Sequence, residues 1–189
     1  LWPEGSATQL KLRFKNAIYR LRRALGQEMV LFIDNLYLFN HDIDFEYDAD
    51  ILVTRFEQAR EAKDIAGKVV NYHEVTDLYR GDFLPEAEGT WAWQKRAEYR
   101  RIFQEAALFL ADYYLQIAAY DQALAFCGRV LADDACHEEA HRIAMRAHAA
   151  SGDRAAVIRQ YEECLRYLGA EIDASPSAQT RALYRALIS

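Results

Sequence analysis

Apolar residues recur at three- and four-residue steps along most of this chain, and that spacing predicts helices. Ser6 reads as an N-cap. After it, Leu10, Phe14, Ala17, Ile18, Leu21 and Leu25 mark one buried helix face, and Gly26 is a natural stop. Val30-Leu31-Phe32-Ile33, a turn at Asp34-Asn35, and Tyr37-Leu38-Phe39 predict a β-hairpin. The stretch Tyr47–Asp50 leads into a helix with Ile51, Phe56 and Ala59 on one face, and a second helix is expected from Ile65 to Leu78. Gly81 and Pro85 punctuate a loop over Leu78–Pro85. A long helical pattern then starts near Trp91 and carries Ala107, Leu108, Ala111, Tyr114 and Leu115.

From there the pattern repeats. Tyr120-Asp121-Gln122-Ala123, Cys127, Val130 and Ala135 read as a second helix and its exit turn. Arg154-Ala155-Ala156-Val157, Tyr161, Cys164 and Gly169 occupy the same positions 34 residues later, the period of a tetratricopeptide repeat. The first helix of each pair would carry Leu110, Ala111 and Tyr114, then Ala144, Met145 and His148. Ile158, Tyr161, Leu165 and Leu168 continue the stripe, and a helix from Ser177 to Ile188 is expected to cap the array. Such arrays build binding surfaces.

Composition supports a mainly helical chain. Hydrophobic residues make up 52% of the 189 positions, enough for a sizeable core, and with 8 glycines and 3 prolines neither a turn-rich β-sandwich nor a disordered chain fits. The three cysteines, an odd number on helical patterns, do not form a secreted disulfide framework and point to a reducing cytoplasm. No apolar run approaches the length of a membrane span. The opening Leu1-Trp2-Pro3, without an initiator Met, suggests a piece of a longer protein.

Charge is unevenly placed. The net charge is −6, but residues 1–40 hold six basic side chains (Lys11, Arg13, Lys15, Arg20, Arg22, Arg23) against Glu4, Glu28 and Asp34. No acidic residue occurs between Thr8 and Leu25. On a helical wheel Gln9, Leu12, Asn16, Tyr19, Arg20 and Arg23 point away from the apolar stripe, with Lys11, Lys15 and Arg22 on one flank and Arg13 on the other. A basic helix followed directly by a hairpin has the form of a recognition helix and wing. Arginine suits guanine edges and asparagine or glutamine suits adenine, while flanking lysines suit phosphates. A basic solvated helix packed on a hairpin has the same pattern.

Several motifs together resemble one family along nearly the whole chain. Leu1-Trp2-Pro3, Leu21-Arg22-Arg23-Ala24-Leu25-Gly26 and the strand at Tyr37–Asn40 are similar to the end of the OmpR-type winged helix of Streptomyces-antibiotic-regulatory-protein regulators. Leu78–Pro85, Trp91, Glu138-Glu139-Ala140-His141-Arg142, Met145, Gly152-Asp153, Tyr161 and Pro176-Ser177 with Thr180 resemble that family's bacterial transcriptional activator domain. The winged helix's earlier strands and helices do not occur in this sequence. The late Leu168-Gly169-Ala170-Glu171 rearranges the family's Glu-Leu-Gly, so a shifted helix end is expected.

The resemblance implies a mainly α fold: a tetratricopeptide-like array over residues 42–189, preceded over residues 1–41 by a partial winged helix of recognition helix and β-hairpin. It implies a sequence-specific DNA-binding transcription activator in signal transduction, acting on promoter DNA. The array would support homodimers or contact another protein, RNA polymerase among them. By resemblance, base-reading roles fall on Gln9, Arg13, Asn16 and Arg20, and phosphate roles on Lys11, Lys15, Arg22 and Arg23. The competing reading is a repeat module that binds a peptide or small molecule, without DNA binding of its own.

Chemistry is sparse elsewhere. His137 and His141 are four apart beside Cys136, but a closed zinc site needs about four ligands and no CxxC pair is present. Cys127 and Cys164 fall at packing positions, where Cys serves as a small hydrophobe. Glu138 and Glu139 suit a helix's first turn better than a facing carboxylate pair. Trp91, Trp93, Tyr113, Tyr114 and Tyr120 at helical spacing are read as core. No phosphate loop, nucleophile elbow or Ser/His/Asp spacing occurs, so no enzyme, cofactor or metal site is expected.

Overall fold

The computed structural model describes residues 6–26 and 29–189. Among them are eight α-helices and one two-stranded antiparallel sheet. The chain divides into two compact units, Leu1–Tyr47 and Asp48–Ser189.

In the first unit, α1 spans Ala7–Leu25 and opens on a capping box: the Gln9 amide donates to Ser6 Oγ, and the Ser6 amide donates to Gln9 Oε1 at 3.2 Å. Gly26, with φ 102, ends the helix. Strands β1 (Val30–Ile33) and β2 (Leu36–Phe39) pair with Val30 opposite Phe39 and Ile33 opposite Leu36. Asp34 and Asn35 turn the hairpin at φ 51 and 63, the left-handed pair of a two-residue connection, which Asp and Asn tolerate. Phe14 meets Tyr37 edge-on at 5.0 Å, and Arg22 Nη2 donates to the Val30 carbonyl at 2.6 Å, so helix and hairpin hold each other.

The expected buried stripe of α1 is only partly covered. Leu10, Phe14 and Ile18 are half-buried, while Ala17, Leu21 and Leu25 are exposed, and no α1 residue is fully buried. Periodicity correctly located the apolar face, but a narrow two-stranded hairpin cannot cover its whole width. The Leu1-Trp2-Pro3 motif lies outside the described residues.

The second unit contains α2 (Asp48–Glu61), α3 (Ile65–Leu78), α4 (Thr90–Gln116), α5 (Tyr120–Asp133), α6 (Glu138–Ala150), α7 (Arg154–Ile172) and α8 (Ala178–Ile188). Consecutive helices pack as hairpins, and α2, α4, α6 and α8 also pack on one another in order. The 34-residue period is visible in three dimensions: α5 and α7 start at Tyr120 and Arg154, and α4 and α6 end at Gln116 and Ala150. Equivalent positions share burial. Leu110 and Ala144, Ala111 and Met145, Ala123 and Val157, and Val130 and Cys164 are all buried. Small residues at these sites, such as Ala111, Ala123 and Ala144, let the paired helices approach closely.

Three expectations are corrected. Trp91 and Trp93 are 56% and 67% exposed and are not core. Trp91 touches Phe83 edge-on, and Trp93 lies under the Arg96 guanidinium. They sit at the start of α4, before its last thirteen residues enter the repeat. Gly169 lies inside α7 rather than in an exit turn. The helix runs on to a left-handed cap at Asp173, where the Asp173 and Ala174 amides both reach the Leu168 carbonyl. Leu165, placed on the packing stripe, is 42% exposed.

Candidate nucleic-acid interface and repeat surface

The side chains expected to read bases lie along one side of α1. Gln9, Arg13, Asn16 and Arg20 are exposed, as are Lys11, Lys15 and Arg23. Leu12 and Tyr19 are exposed on the adjoining side. Gln9 and Arg22 carry structural bonds as well. Gln9 Oε1 is engaged in the capping box, and Arg22 is half-buried with its Nη2 on the Val30 carbonyl. The helix therefore presents a cationic face opposite the contact it makes with the hairpin. Its C-terminal basic pair, Arg22 and Arg23, complements the negative end of the helix.

In the second unit the stacked helices α4 and α6 carry paired charges on their surface. Arg146 Nη2 pairs with Asp112 at 3.1 Å, Gln116 donates to the other Asp112 oxygen at 2.6 Å, and Arg142 bridges to Glu139. A cleft of about 220 Å³ opens beside them, lined by Glu139, Arg142, Arg146, Gln179 and Leu183. Asp112 and Arg146 are equivalent positions of successive repeats. Opposite charges one period apart were the available sequence signal for this pair.

Helix α8 is fastened to α6 by a polar cluster around the buried Thr180. The Ser177 amide and hydroxyl donate to Glu138 at 2.9 and 2.7 Å, and the Thr180 hydroxyl donates to the same carboxylate oxygen. Arg142 Nη1 donates to Thr180 Oγ1 at 2.9 Å. Burial raises the Glu138 pKa, but the hydrogen bonds from Thr180 and Ser177 and the Arg142 charge outweigh it, so Glu138 stays below the ordinary carboxylate range. Tyr161 and Tyr184 stack at 3.9 Å and complete the joint between α7 and α8. Glu138 and Glu139 do lie in the first turn of α6.

A second fastening holds the Leu78–Pro85 segment. Arg96 donates to the carbonyls of Phe83 and Ala87, each at 2.7 Å, and of Leu84. Tyr79 stacks on Phe103 at 4.4 Å and donates to Asp133 at 3.1 Å. Burial, reinforced by the Asp133 charge, pushes the Tyr79 phenol up to about 12. Arg129 donates to the Thr76 carbonyl and lies over the Phe103 ring.

The histidines singled out from the sequence have different environments. His137 is the N-cap residue of α6. His141 is buried, with Nε2 on the Ala135 carbonyl at 3.0 Å and Nδ1 accepting from Gln160 Nε2 at 2.7 Å. A neutral ring protonated at Nε2 satisfies both partners. A proton on Nδ1 would face the Gln160 amide hydrogens unless that amide turned over. Burial lowers the pKa of His141, and of His148. The native state thus favours their neutral forms. Their contribution to stability is fully present above about pH 6.5 and is lost as pH falls through the lowered folded-state values. Urea midpoints are expected to fall between pH 7.5 and pH 5.5 in the wild type and to fall less in His141→Gln. Equal declines in both would contradict the role given to His141.

Residues 47–188 match the family described as the bacterial transcriptional activator domain. The chain belongs to this family. The activator domain thus covers all seven helices of the second unit. Among solved structures, the chain is similar to the C-terminal TPR-containing domain of a Plasmodium falciparum protein described as FK506-binding. The TM-score is 0.53 at 17% identity, over 76% of this chain and 91% of that one. That likeness supports a tetratricopeptide-like fold for the activator domain, consistent with the 34-residue period. No curated protein matches the chain. Among the described residues no helix is long and apolar enough to cross a membrane.

Proposed function

We propose that this chain belongs to a transcription activator that reads promoter DNA through α1, with the β1–β2 hairpin as wing. In this reading residues 1–41 are the end of an OmpR-type winged helix, and residues 42–189 form an array for self-association or contact with the transcription machinery. The observation that carries the proposal is the exposed, acid-free face of α1 in a chain of the activator-domain family. Arg13, Asn16 and Arg20 are placed to read base edges, Arg at guanine and Asn at adenine. Gln9 would add its amide from within the capping box. Lys11, Lys15 and Arg23 would take phosphates, with Arg22 doing so from its tie to the hairpin.

The test is binding of the chain to a random-sequence DNA duplex pool across a salt series. About four phosphate contacts predict a log–log slope of about −3 to −4. Binding that does not respond to salt, or no binding at low salt, would overturn the assignment.

The second reading is a protein-interaction module without DNA affinity. The cleft beside Glu139, Arg142 and Arg146 is the observation in its favour. It predicts capture of a peptide by the array with no binding to the DNA pool.

A further inference from the structure

The face of α1 that points away from the hairpin carries more than charge. Leu12 is 61% exposed and Tyr19 is 65% exposed. At 100° per residue they lie within about 20° of each other and nearly opposite Phe14, whose ring contacts Tyr37. Neither can turn toward the hairpin without unwinding the helix. Asn16 lies between them along the axis, and Lys15 and Arg23 flank them on the exposed surface. This face therefore offers a partner both apolar and cationic contacts.

A DNA major groove supplies what this face lacks. Its walls are phosphates, which match the flanking cations, and its floor carries one apolar group, the thymine 5-methyl. Leu12 and Tyr19 are seven residues apart, a rise of about 10.5 Å along a helix axis. That is about three base-pair steps of 3.4 Å.

Resting on the DNA-reading role proposed for α1, we infer that Leu12 and Tyr19 are specificity-determining residues that contact two thymine methyl groups about three base pairs apart. Asn16 sits between them over an intervening base pair, where an adenine would match its amide. The bound site therefore carries an A·T-rich centre, and Arg13 and Arg20 favour guanines at its edges. Shape and hydrophobic contact, rather than hydrogen bonding, discriminate at the two thymine positions.

Deoxyuridine lacks only the 5-methyl group and keeps every hydrogen-bonding edge, so it isolates this contact. Sites are first selected from the random duplex pool with the chain, and each thymine of the selected site is then replaced singly by deoxyuridine. Two replacements, about three base pairs apart, are expected to weaken wild-type binding by about four-fold each. Leu12→Ala should lose sensitivity at one position and Tyr19→Ala at the other. Tyr19→Phe, which keeps the ring, should retain it. Circular dichroism of each variant checks that α1 remains helical.

Salt-dependent binding that is indifferent to deoxyuridine at every position would overturn the methyl contacts and leave the DNA role standing. Loss of sensitivity in Tyr19→Phe would overturn the contact assigned to the Tyr19 ring. If no sequence is enriched and no salt-dependent binding occurs, the DNA role falls and this inference falls with it.

Discussion

Reversing Arg13 and Arg20 together to glutamate is expected to lower affinity for the selected DNA site by about a thousandfold. A good bidentate arginine–guanine contact discriminates by about 1–3 kcal/mol, so losing two removes about 4 kcal/mol. The new carboxylates also face the phosphate field, which adds repulsion to the lost contacts. Both residues are exposed on α1, and neither takes part in the capping box, the Phe14–Tyr37 contact or the Arg22–Val30 bond. Surface changes of this kind usually shift stability by under about 0.5 kcal/mol. The fold should therefore survive while binding is lost. Affinity within a few-fold of wild type would show that α1 is not the reading element, and the repeat-module reading would take its place.

Leu110→Ala is expected to destabilise the helical array by about 3–5 kcal/mol, the cost of removing a fully buried leucine and leaving a cavity. Leu110 has no exposed surface and packs in the main core cluster with residues of α2, α3, α4 and α5, and with Ala140 of α6. Because α4 joins the first helical hairpin to the later repeats, this cavity weakens both interfaces at once. In a repeat array, stability depends on such nearest-neighbour contacts. A domain stable by about 5–15 kcal/mol would lose a large share of its margin. Urea denaturation of the variant and the wild type measures the loss. A shift below about 1 kcal/mol would mean the array collapses around the vacancy or is less tightly packed than its structure indicates.

Much of this architecture follows from local sequence. The 34-residue period placed the starts of α5 and α7, and the apolar spacing bounded α3 at Ile65 and Leu78. Ser6 and Ser177 cap α1 and α8, and Asp34-Asn35 turn the hairpin, because a cap or a two-residue turn depends on only a few neighbouring residues. The acid-free basic face of α1 was equally legible, since one helix's wheel needs no information from elsewhere in the chain.

Other features depended on the tertiary structure. The bond from Arg129 to the Thr76 carbonyl spans 53 residues, and the clasp from Thr180 to Glu138 spans 42. No local pattern names such partners. Trp91 and Trp93 misled the sequence reading because aromatic spacing shows that a helix has a face, not whether another helix covers it. The same limit applies to α1. Its apolar stripe was visible in the sequence, but how far the hairpin covers it, and that Arg22 ties the two together, were decided by packing. Periodicity is set by the geometry of one helix, whereas burial and pairing are set by what the rest of the chain brings beside it.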